Sequence, residues 1–124
     1  MTMQPSRESR LTQQGIEALR NNDPRAARAA LEQVVAAGVA DAAAHLGLGY
    51  AHAMLNDDDA AQTAVDCALA QEPRNLRALL LKADLFHRAG DGAASASFYQ
   101  AVLKAVPEGT QLKGDLQREV ERAR

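Results

Sequence analysis

Landmarks in this chain return every 34 residues. Pro73 reappears as Pro107, and Asn56-Asp57 is preceded by Asn22-Asp23 and followed by Gly90-Asp91 at the same step. Small side chains keep the period as well: Gly15, Gly49 and Ala83 share one slot, and Ala27, Ala61 and Ser95 share another. A fixed period of this length means that one supersecondary unit is copied and stacked, because a single copy cannot bury its apolar face alone. Three copies align without insertion, at residues 8–41, 42–75 and 76–109, after a polar tail at 1–7 and before a last segment at 110–124.

Each copy carries the three-and-four spacing of a helix face twice. Leu11, Gly15, Ala18 and Leu19 make the first stripe, and Ala27, Ala30, Leu31, Val34 and Val35 the second. Between them, Asn22-Asp23-Pro24 stops one helix and starts the next, with Asp23 as cap and Pro24 as the first helical residue, where a missing N–H costs nothing. Gly38 closes the second helix in a left-handed turn, and Asp41 caps a third that runs to about Leu55. Asn56 takes the next left-handed position, and Asp57 to Asp59 meet the positive end of the helix that follows. Asn75 caps a fifth helix with Leu76, Leu79, Leu80, Ala83 and Phe86 inward. Gly90 ends it, and Asp91 opens a sixth that buries Ser95, Phe98, Tyr99, Val102 and Leu103.

Residues 110–124 read as one more helix, with Leu112, Leu116, Val120 and Ala123 on one stripe and charges elsewhere, as an end cap of a stacked array requires. The expected architecture is therefore all-α: an α-solenoid of three helix-turn-helix units plus a C-terminal capping helix. Within it Gly49 is expected to face Ala61, so that a leucine at 49 would push two helices apart, whereas Gly47→Ala is expected to be mild or stabilising.

In the copy at 42–75, Leu48, Gly49, Ala61, Val65, Ala68 and Pro73 occupy the leucine, glycine, alanine, bulky apolar and proline positions of a known pattern. The chain resembles the tetratricopeptide repeat (TPR) family, whose usual aromatic and tyrosine are His45 and His52 here, and whose proline is Val39 in the first unit. The resemblance implies a right-handed superhelix whose concave face is made by the first helix of each unit and takes a protein or peptide. Carried over slot by slot, the partner-binding groove is Ile16, Leu46, Tyr50, Met54, Leu80 and Asp84. Arg77 and Arg88 lie at its rim, to steer a partner with some negative charge. Members that hold a C-terminal carboxylate use Lys, Arg and Asn where this chain has Thr12, Ile16, Tyr50, Leu80 and Asp84, so a carboxylate-clamp chaperone adaptor is not implied. Two other readings go with the resemblance. One is a non-catalytic accessory domain of a larger enzyme, since the run ALLLKADLFHRAGD followed by an amphipathic helix looks like the segment preceding aspartyl/asparaginyl β-hydroxylase-like oxygenase domains. The other is self-association into a homo-oligomer.

Chemistry is not legible in the residues themselves. Asp57-Asp58-Asp59 lacks the alternating ligands, central glycine and distal glutamate of a calcium loop. His45 and His52 stand two helical turns apart, about 10 Å, too far to share an ion, and are read as packing residues. Gly47-Leu48-Gly49 has no third glycine and no preceding strand, so it is not a nucleotide loop. Ser95 has no base placed beside it by sequence, and its slot holds alanine elsewhere. No catalytic, cofactor-binding or metal residues are expected. The formal net charge is −2 with both signs interspersed, which offers no basic stripe for nucleic acid. One cysteine, Cys67, no apolar leader and no run of about 18 apolar residues give the expectation of a cytoplasmic chain without a membrane span.

Overall fold

A computed structural model of the chain describes residues 5–106 and 114–123. Among them are seven helices and no strand: α1 (Arg7–Arg20), α2 (Pro24–Ala36), α3 (Ala42–Met54), α4 (Asp58–Gln71), α5 (Leu76–Arg88), α6 (Gly92–Ala105) and α7 (Gly114–Ala123). The anticipated start of the capping helix at residue 110, together with Pro107 and Leu112, lies outside the described residues. Helix α7 is described from Gly114, with Leu116 half-buried and Val120 buried.

The turns explain the period. At each hairpin a residue in the left-handed region ends the first helix: Asn22 at φ 58°, Asn56 at φ 63° and Gly90 at φ 83°. Asparagine and glycine are the residues that tolerate this conformation, and both appear in that one slot. The next residue, always Asp, donates its N–H back to the carbonyl five residues earlier: Asp23 to Ala18 at 2.8 Å, Asp57 to His52 and Asp91 to Phe86 at 2.9 Å. This is the bond that seals a helix C-terminus in a Schellman motif. The same Asp then turns its carboxylate to the start of the next helix, accepting from Ala26, Ala60 and Ala94 at 3.2, 3.3 and 3.0 Å. A single residue thus closes one helix and opens another. Ser6, Asp41 and Asn75 cap α1, α3 and α5 in the same way. Ser6, assigned to the tail by sequence, extends the first helix to Arg7.

The chain divides into two compact units, Met1–Glu72 and Pro73–Arg124. In the first, α1 pairs with α2 and α3 with α4, and α3 also packs on α2 and α1. Its core gathers Leu31, Val34, Ala44, Leu48 and Ala64, with Leu11 and Ala40 against them. Two glycines converge on Leu31. A Cβ on Gly15 would lie 2.5 Å from Leu31 Cγ, and one on Gly47 would lie 3.0 Å from Leu31 Cδ1. Gly47 is therefore part of a helix crossing and not a free helical position, so the gain in helix propensity expected from Gly47→Ala is opposed by that contact. Gln71 of α4 donates to the Ala40 carbonyl at 3.0 Å, and Arg7 to Gln33 at 2.8 Å. In the second unit α5 pairs with α6, and α7 packs on α6. Phe86 and Phe98 stack at 5.6 Å between ring centroids, with the Lys82 ammonium over both rings.

Candidate protein-binding surface

Helix α3 reads AAAHLGLGYAHAM and is apolar on almost every side, which is the pattern of a helix packed on several neighbours at once. Alpha-carbon neighbours α1, α2 and α4 surround it, and most of its residues are buried accordingly. Besides half-buried His45, two large side chains escape. Tyr50 is half-buried and Met54, one turn on, is 41% exposed. On α1, Ile16 holds the slot that Tyr50 holds on α3, and it too is half-buried. These three residues are the part of the anticipated groove that the first unit leaves open.

Leu46 and Leu80 are not. They are 8% and 1% exposed, and so belong to the core beneath the first-helix face. For Leu46 the reason is that α3 has neighbours on three sides and so buries more of its face than an isolated hairpin would; Leu80 is covered within the second unit. In the second unit Arg77 is half-buried and Arg88 exposed at the last turn of α5, where a cation complements the helix dipole.

Asp84 stands in the slot of Ile16 and Tyr50, and its surroundings were not foreseen. Tyr99 of α6 donates its hydroxyl to Asp84 Oδ1. On the other oxygen, Arg122 of α7 pairs at 3.6 Å, with side chains 67% and 38% exposed, so that water screens the pair and it contributes little on its own. Ser95, one turn before Tyr99 on α6, is buried. Tyr99's pKa is pushed up to about 12, first by burial and then by the hydrogen bond to Asp84 and by its charge, while Arg122 and Ser95 pull the other way.

The folded-state value lies above the ordinary 10, so the unfolded chain surrenders its phenolic proton first as pH rises. The stability lent by neutral Tyr99 is whole below pH 10 and drains away up to about 12. Tyr99→Phe is expected to flatten the pH dependence of unfolding across that window. Chemical denaturation of both proteins at stepped pH would show it, and parallel curves would mean that no proton is linked there.

Two clefts indent the surface of the described residues. One of about 430 Å³ opens in the first unit between α1 and the segment before α3, lined by Ser9, Thr12, Gln13, Val34, Val39 and Asp41. The other, of about 600 Å³, lies in the second unit between the start of α5 and the end of α6. Sequence reasoning missed both because each is walled by residues of separate elements that no spacing rule connects. His52 is buried and His45 half-buried, in keeping with packing roles, although His52 Nδ1 has no hydrogen-bond partner among the described residues. Among those residues no three His, Cys, Asp or Glu side chains gather where a metal could sit, and no helix is long and apolar enough to cross a membrane.

Compared with known families, the chain matches a sequence model described as tetratricopeptide repeat over residues 12–63 and again over 58–110. No curated protein matches it.

Proposed function

Because the chain belongs to the tetratricopeptide repeat family, whose repeats mediate protein–protein interaction and are in general not catalytic, we propose that it is a binding module whose first helices present an apolar anchor surface to a protein or peptide. The observation that carries this is the exposure of Met54 beside half-buried Tyr50 on a helix that buries its leucines and most of its alanines. An exposed methionine one turn from a tyrosine offers adaptable apolar area and a rigid amphipathic ring, the kind of pair in which binding energy concentrates. Ile16 extends the surface onto α1, and Leu46 supports it from the core of the first unit. A carboxylate-clamp role is disfavoured because the slots of Ile16, Tyr50 and Asp84 offer no cation to a desolvated carboxylate, and Asp84 would repel it.

The test is affinity capture with the wild type and with Tyr50→Ala and Met54→Asp. Tyr50→Ala is expected to weaken retained partners by about tenfold or more, and Met54→Asp at least as much, since it sets a charge into an apolar contact. A set of partners unchanged in both variants would place binding on another face. Light scattering on the same proteins separates self-association: a mass that doubles in the wild type and falls in Met54→Asp would make the partner a second copy.

A further inference from the structure

The cleft between α5 and α6 shares no residue with the surface proposed above, and its chemistry differs. Its apolar lining is Leu76, Leu79 and Ala101, with Leu76 half-buried and so reachable from solvent. Its charged lining residues are Arg74 and Lys104, both exposed and both cationic, and no acidic side chain lines it among the described residues. Neither cation makes a hydrogen bond or an ion pair among those residues. Two cations without a partner among the described residues thus stand beside accessible aliphatic surface. Arg74 precedes the N-terminus of α5, where the first backbone N–H groups add positive potential of the same sign.

We propose that this cleft is a docking site for an acidic amphipathic segment of a partner protein, one that places an aliphatic side chain on Leu76, Leu79 and Ala101 and directs carboxylates to Arg74 and Lys104. A volume near 600 Å³ accommodates one or two aliphatic side chains but not a folded domain. Arginine grips a carboxylate through its planar fork and lysine through a mobile point charge, so the two together hold acids in register without demanding one geometry.

The probe is a short fluorescent peptide with blocked ends, two adjacent leucines flanked by glutamates, and its glutamine counterpart, followed by anisotropy. The wild type is expected to bind the acidic peptide in the micromolar range, more weakly as salt rises. Binding should fall about tenfold or more with the glutamine peptide and with Arg74→Glu combined with Lys104→Glu. Both substituted side chains are exposed, so the variant should keep its helical circular dichroism. Met54→Asp should leave peptide binding unchanged, which separates this site from the first-helix surface. No binding by the wild type, or equal binding by the charge-reversed variant, overturns the proposal. Co-sedimentation with phosphatidylserine vesicles that the same reversal abolishes, in the absence of peptide binding, would assign the cleft to a lipid surface instead. A doubled mass in light scattering that the reversal abolishes, again without peptide binding, would assign it to a second copy.

Discussion

Leu31→Ala is expected to destabilise the first unit by about 3 to 5 kcal/mol, the upper part of the range for a buried leucine. Leu31 is fully buried, and its nearest neighbours are poorly able to fill a hole. Gly15 and Gly47 have no side chains to swing inward, and Ala44 and Ala64 have only one methyl each. Filling the hole would require α1 or α3 to shift as a whole, against turns that hold their ends. Urea unfolding followed by circular dichroism would measure the loss. A change below about 1 kcal/mol would show that the site collapses freely and that these helices are not held at the distances described.

The reciprocal change is Gly15→Leu, expected to cost about 3 kcal/mol or more, at or beyond the usual limit for overpacking. Its Cβ alone would stand 2.5 Å from Leu31 Cγ and 2.8 Å from Cδ2, and the remaining atoms of the side chain would have to occupy space that Leu31 fills. Gly15→Ala sets the same clash against a helix-propensity gain of about 1 kcal/mol, so its net cost should be smaller. Gly47→Ala, with its nearest contact at 3.0 Å to a methyl, should be near neutral. The coupling is the decisive measurement. Leu31→Ala should absorb much of the damage done by Gly15→Leu, because each substitution vacates or fills the same volume. Strictly additive losses in a double-mutant cycle would mean that the two residues do not touch.

Much of the fold could be read from the chain because its signals are local. Asn22-Asp23-Pro24, Asn56-Asp57 and Gly90-Asp91 each combine a residue that tolerates positive φ with a carboxylate that caps, and such chemistry acts over a few bonds. The small residue at 15 likewise announced a close helix crossing, although Gly47 did not, since its partner Leu31 belongs to a different hairpin and no spacing rule connects them. The proposed binding surface was legible only in outline. Tyr50 and Met54 have the exposure that their slot predicts. Leu46 and Leu80 share the same face but lie in the core, because how deeply a face is covered depends on neighbouring helices and not on its own period. The network of Asp84, Tyr99 and Arg122 joins three helices, and each residue taken alone read as an ordinary groove, core or surface position. Arg74 and Lys104 fall at helix ends, where sequence offers turn chemistry and says nothing about a shared cleft.

The aspartates that belong to two helices at once bear on how the chain folds as well as on what it becomes. A hairpin whose connection is three residues long closes with little loss of loop entropy, so its contacts can form before any contact between hairpins is needed. Formation of the turn also commits both helices together, since the left-handed residue, the sealing N–H and the capping carboxylate lie within two consecutive positions. Each pair, α1 with α2, α3 with α4 and α5 with α6, is in this sense a single kinetic element. The same economy leaves no place for an extra residue: an insertion beside Asp23, Asp57 or Asp91 would separate the residue that ends one helix from the residue that begins the next. Length variation is better tolerated between hairpins, where residues 37–41 already include an exposed glycine.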